Sequence, residues 1–306
     1  MSLFVQSVYA ASALSVAVIL LLYRSHPFRR LPASAVFLAF GAGMVSVVGV
    51  ALFRLLVGWG ASLSSGGAFV GYAAIEEAVK LLALFVTVWP LRYPDAIEPY
   101  DFVLLFGILG AGFGVYEDFS YIFSGSYPAW IEGDALRFRF VFGSLMMARS
   151  LPGHILFNAL AGAFLGWARF RAVGWRRVPW IAGGFFVAVC LHALYNVIAV
   201  YGRWPSLLAY CVALIGVLLG VRRRAAVASP FAALIQRIER HDGTAAPWTY
   251  DHSPIEILFA EGFSWPTRVR GGLFQAYPVI LSLTVLFPVS FIAVYFVQRI
   301  LVWAFS

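Results

Sequence analysis

Residues 70–86, "VGYAAIEEAVKLLALFV", are apolar except at the centre, where Glu76, Glu77 and Lys80 fall within five positions. Length and apolarity suit a membrane span, but the charges do not. Each charged side chain at a helix centre costs roughly 2.5–3.5 kcal/mol to insert on translocon scales. Lys80 is also the only lysine in the chain, whose other 21 basic residues are arginines. Whether this stretch is a membrane helix is decided by what surrounds it.

The chain has 306 residues, of which 62% are hydrophobic and only 12% charged. That is about half the charge of a typical soluble domain, so composition sets aside one or two soluble domains and points to a polytopic membrane protein. A span takes about 20 apolar residues. Eight runs qualify: 4–23, 35–57, 67–89, 101–123, 142–168, 179–201, 204–221 and 277–301. Strand-like alternation over ten-residue segments does not recur, which argues against a β-barrel. The remaining way to satisfy the backbone in a lipid bilayer is an all-α bundle.

The net charge of +8 reflects topology rather than nucleic-acid binding. Segments 24–34, 90–100, 169–178 and 222–276 carry 15 arginines, while the alternate connections and the tail carry four, Arg137, Arg139, Arg203 and Arg299. The positive-inside rule makes the first set cytoplasmic and puts both termini outside. Residues 4–23 lack a preceding basic region and read as a retained first helix rather than a signal peptide. The expected organisation is a seven-span core over 1–221, with the chemistry-bearing helices in 67–201. A cytoplasmic connection over 222–276 and a final span within 277–306 follow. Cys190 and Cys211 are isolated inside spans and read as packing residues.

The three charges of residues 76–80 are joined by further polar groups inside spans. Glu117 and Asp118 lie in "GFGVYEDFSY", Arg149, His154 and Asn158 in "RSLPGHILFNALAG", and His192 and Asn196 in "CLHALYNVIAV". The last two stretches share the pattern H-x-L-x-N, which puts His and Asn on one helix face. Counting inward from the outer boundaries at 1.5 Å per residue, Glu76, Glu117, His154 and His192 lie roughly 9–18 Å deep. Four helices thus bring polar groups to similar depth, which predicts one shared site. Asp118 is expected nearer the outer interface, in contact with solvent, and Arg149 is expected to neutralise carboxylates. Pro152-Gly153 should kink the fifth span, and Gly110/Gly114 and Gly162/Gly166 suit close helix packing.

One lysine cannot neutralise two carboxylates, and a carboxylate without a full counter-charge in low dielectric is a good proton acceptor. Helix geometry favours Glu76 as the i,i+4 partner of Lys80, leaving Glu77 as base. Intramembrane carboxylates and histidines also mark proton- or ion-coupled transporters, although no inverted repeat of broken helices supports that alternative.

At these residues the chain resembles the PrsW family of intramembrane proteases, within the group that includes the CAAX prenyl endopeptidases. "EEAVK" (76–80) matches that family's EExxK, and "GFGVYED" (112–118) is similar to a signature ending Glu-Asn, here Glu117-Asp118. His154 and the His192/Asn196 element match its later histidine motifs. The likeness covers residues 67–200. It implies hydrolysis of peptide bonds in membrane-anchored proteins, such as anti-sigma factors, by a protein of a bacterial or archaeal cell membrane. The partners are then a single-span protein or peptide substrate and the lipid bilayer. Glu76 or Glu77 would activate water, and His192 and Asn196 would steady the oxyanion. The prenyl endopeptidase relatives point to the first glutamate, Glu76, as base. Zinc held by Glu117, His154 and His192 is one version of the site; direct activation of water by Glu and His is the other.

Overall fold

The computed structural model describes residues 2–24, 31, 33–56, 66–88, 98–227 and 229. All its regular elements are helical, as the composition requires in lipid. The helices are α1 (Leu3–Arg24), α2 (Ala33–Leu56), α3 (Gly66–Ala83, continued by a π turn Leu84–Val88), α4 (Pro99–Ile131), α5 (Ala135–Arg149), α6 (Gly153–Arg171), α7 (Val178–Tyr201) and α8 (Trp204–Val227). A 3₁₀ turn, Gly174–Arg177, precedes α7. Seven of the eight expected spans thus correspond to α1–α4 and α6–α8. The eighth, 277–301, and nearly all of the 222–276 connection lie outside the described residues. Six helical stretches are long and apolar enough to cross a membrane, α5 and α6 counting together as one. The remaining helix, α3, is the one that carries Glu76, Glu77 and Lys80.

Helix α4 is the central post, buried almost continuously from Pro99 to Phe119. It starts cleanly: Glu98 is the N-cap in a capping box, its backbone N–H donating to Asp101 Oδ2 (3.0 Å), and Pro99 occupies the first turn. It also runs eight residues past the expected end at 123. In this extension Ser120 and Ser124 return their hydroxyls to the carbonyls of Tyr116 and Ser120, and Pro128 inside the helix costs only one backbone hydrogen bond.

Antiparallel α6 packs on α4 through small residues. A Cβ on Gly110 would strike the backbone oxygen of His154, one on Gly162 that of Phe102, and one on Gly166 that of Pro99, at 2.6 Å. On the opposite flank, Gly43 of α2 and Gly112 of α4 make the same kind of close approach. Both glycine pairs noted in the sequence therefore lie in the α4–α6 seam, where they let polar groups on the two helices meet.

The fifth span departs from expectation. Pro152-Gly153 does not kink one long helix over 142–168; it separates two. Helix α5 ends at Arg149, and Pro152 caps α6. A proline lacks the N–H and disfavours helical geometry in the residue before it, and Gly153 lies against the Tyr195 ring, where a Cβ would come within 2.6 Å. His154 consequently stands in the first turn of α6. Helix α5 has no buried residue.

One end of the bundle collects the described parts of the arginine-rich segments, at the ends of α1, α6 and α8. There Tyr100 at the start of α4 donates to Leu22 O at the end of α1 (3.4 Å), Pro99 meets Gly166 of α6, and Ser229 beyond α8 donates to Glu98 Oε2 (2.9 Å).

Candidate functional site

Adjacent residues on a helix point about 100° apart, and α3 uses that angle to send its two glutamates into different surroundings. Glu77 is 0% exposed and faces α6 and α7. Its Oε1 accepts from Lys80 Nζ and from His192 Nδ1 (2.8 Å), and its Oε2 accepts from Asn158 Nδ2 (2.6 Å). Lys80, equally buried, also reaches His154 Nδ1 at 3.2 Å. The rings of Phe113 and Phe157 lie 4.5 and 5.3 Å from its ammonium, a cation–π complement to the single carboxylate. The lysine's partner is therefore Glu77 at i,i+3, not Glu76 at i,i+4. Both spacings are sterically open within a lone helix, and α6 and α7 decide between them by placing His154, Asn158 and His192 around Glu77.

Glu76 turns toward α2. Its Oε1 accepts from Arg54 Nη2, and its Oε2 is buried with no hydrogen-bond partner. The nearest imidazole nitrogen is His192 Nε2, at 3.5 Å. An ionised carboxylate only accepts, so His192 carries a proton on Nδ1, toward Glu77, and its Nε2 lies beside the orphaned oxygen. The same logic puts the His154 proton on Nε2, which donates to Glu117 Oε2 (2.7 Å), and its lone pair on Nδ1, toward Lys80.

The two histidine rings are 4.8 Å apart, edge to face, and Phe157 stacks on His192 at 4.9 Å. The shared depth expected from the sequence is thus matched by contact: Glu76, Glu77, Lys80, Glu117, His154 and His192 form one cluster. Gly114 makes room for it, since a Cβ there would press on the His154 ring at 3.0–3.3 Å.

Other sequence candidates fall outside it. Asn196 is half-buried one turn beyond His192 on α7 and makes no hydrogen bond to the described cluster residues. Asp118 is buried rather than solvated, because α4 continues well past it. Arg149 covers the Tyr121 ring at 3.7 Å and acts electrostatically on Glu117 and Asp118. Two participants had no role assigned from the sequence. Asn158 was one of the polar groups inside the spans, four residues after His154 on the same helix face. Arg54 was visible only as an unexplained charge near the end of an apolar run.

A cavity of about 540 Å³ opens on the Glu76 side of the cluster. Val47, Val50, Ala51 and Arg54 of α2, Glu76 of α3, and α4 residues from Phe113 to Tyr127, including Glu117, line it. Neither His192 nor Asn196 is among the lining residues.

The metal expected from the sequence can be tested against the donor set. Ligand atoms of Glu77, His154 and His192 lie within 4.8 Å of one another, with Glu77 where the sequence suggested Glu117. Two imidazoles and a carboxylate are a complement used by catalytic zinc. The set fits a divalent cation in kind, although the Lys80 ammonium now stands between Glu77 and His154.

A family model described as PrsW family intramembrane metalloprotease matches residues 31–221. The matched region contains every residue of the cluster and the helices that carry them, α3, α4, α6 and α7. No curated protein and no solved structure matches the chain significantly.

Proposed function

The chain belongs to the PrsW family of intramembrane metalloproteases, and from that membership we propose that it hydrolyses peptide bonds of single-span, anti-sigma-factor-like membrane proteins with Glu76 as the general base. The observation that carries the assignment is the buried, unpartnered Glu76 Oε2, 3.5 Å from His192 Nε2 and on a residue that lines the cavity. With His192 neutral in this reading, its Nε2 and the Glu76 Oε2 are two acceptors side by side, which suit one water molecule that donates a proton to each. A buried carboxylate oxygen left without a donor is costly, so the pair has reason to hold that water.

Catalysis then runs within hydrogen-bond reach. Glu76 takes a proton as the water oxygen bonds to the scissile carbonyl carbon, and the carbonyl π electrons move onto oxygen. When the C=O bond re-forms, the C–N bond breaks and the Glu76 proton passes to the departing amine. Glu77 holds His192 by its Nδ1 proton and keeps the imidazole in the tautomer the water needs. Lys80 and Asn158 hold Glu77. Glu77, His154 and His192 are the residues that would bind a divalent cation, which when present would polarise the water or the carbonyl. In the membrane the arginine-rich end faces the cytoplasm, so the cavity, which follows α4 toward Tyr127, opens to the outer half of the bilayer.

The test is incubation of the purified protein in liposomes with a single-span reporter, with products identified by mass spectrometry. Parallel samples are treated with chelator and then given zinc. Cleavage in or at the outer end of the reporter span supports the assignment, and loss with zinc-restored activity adds the metal. An intact reporter together with proton or ion flux would replace hydrolysis by transport.

A further inference from the structure

The proposed hydrolysis leaves one requirement unmet: the oxygen that becomes negative in the transition state needs a donor. The expected donors, His192 and Asn196, do not line the cavity, and His192 already gives its proton to Glu77. The cavity's one cation among its described lining residues is Arg54. Its guanidinium lies 4.5 Å over the Tyr72 ring, its Nη2 donates to Glu76 Oε1, and its side chain is still 34% exposed. Its Nε is buried without a hydrogen-bond partner. The Nε has no open surface, so the donors left for an oxyanion are on the partly exposed end of the guanidinium, beside the base and at the wall of the cavity.

We propose that Arg54 is a catalytic residue that donates a charge-assisted hydrogen bond to the oxyanion of the tetrahedral intermediate. The inference rests on the hydrolase reading with Glu76 as base. Charge conservation favours it. Before reaction, the Arg54 charge is balanced by the Glu76 carboxylate. As Glu76 takes the proton from water it becomes neutral, and in the same step the carbonyl oxygen becomes negative. The guanidinium can hold both oxygens, because its planar fork offers several N–H groups. The cation therefore keeps a counter-ion throughout, and no uncompensated charge arises in low dielectric, where such charge is most expensive. Donors fixed in advance at the site of developing charge are among the largest contributions to acyl-transfer catalysis.

A rival role would make Arg54 only the counter-ion of Glu76, and two variants separate the two. Arg54→Lys keeps the positive charge but loses the planar fork, and Arg54→Gln loses the charge. Both are purified, checked for thermal unfolding, and assayed on a single-span reporter cleaved by the wild type. Arg54→Lys should unfold like wild type yet lose about 10²-fold in kcat, with KM nearly unchanged, and Arg54→Gln should lose about 10²–10³-fold. Added guanidinium should restore part of the kcat of an Arg54→Ala variant. Wild-type kcat in Arg54→Lys overturns the proposal and leaves a counter-ion, as does activity in either variant that falls only with the folded fraction. A wild type that cleaves nothing overturns the hydrolase reading beneath it.

Discussion

Glu76 and Glu77 are covalent neighbours that belong to two different regions of the molecule. Around Glu77 the protein is dry and internally bonded: both carboxylate oxygens are occupied, by Lys80, His192 and Asn158, and two phenylalanines close over the ammonium. Around Glu76 the bonding is incomplete, with one oxygen held by Arg54, the other buried without a partner, and a cavity alongside. Saturated polar networks specify structure, and unsaturated ones are available for chemistry. The comparison teaches that two identical side chains, one residue apart, are a scaffold and a reagent because of the helices each one faces.

The largest effect that would sharpen this contrast is on folding. Glu77→Gln leaves the Lys80 ammonium buried without its carboxylate, which should cost about 3–5 kcal/mol. It should appear as a marked fall in folded yield and in thermal unfolding temperature in detergent. Lys80→Met should do the same by stranding Glu77. Stability close to wild type in both would break the scaffold half of the comparison.

The two asparagines give a smaller, paired effect. Asn158→Leu removes the donor to Glu77 Oε2 and should destabilise by about 1.5–3 kcal/mol, the range for a hydrogen bond to a charged group. Asn196→Leu, away from the cluster, should change stability by about 0.5 kcal/mol or less. Reporter cleavage measured alongside should drop sharply for the first and little for the second. The reverse order would return Asn196 to the site and remove Asn158 from it.

These contrasts also mark what was legible in the sequence. The all-α architecture followed from apolar run lengths, and the gathering of the described arginine-bearing helix ends on one side of the bundle from their alternation along the chain. Convergence of Glu76, Glu117, His154 and His192 followed from depth, because antiparallel spans of known rise bring equal depths together. The choice of Glu77 over Glu76 by Lys80 was not legible. Spacings of three and four are both open on a single helix, and the deciding groups are on α6 and α7. Arg54 was silent because its role depends on how α2 faces α3, which no local pattern records. The full break at Pro152-Gly153 needed the Tyr195 ring, 42 positions on from Gly153, to explain it.

The central claim is that reactivity belongs to Glu76 and support to Glu77. One measurement tests it most directly: initial cleavage rate and unfolding temperature determined together, on the same preparations, for wild type, Glu76→Gln and Glu77→Gln. The account predicts that Glu76→Gln unfolds near the wild-type temperature and loses about 10²–10⁴-fold in rate, the usual worth of a general base. Glu77→Gln should unfold at a clearly lower temperature. A Glu76→Gln protein that cleaves at the wild-type rate, or a Glu77→Gln protein that is as stable as wild type but inactive, would contradict it.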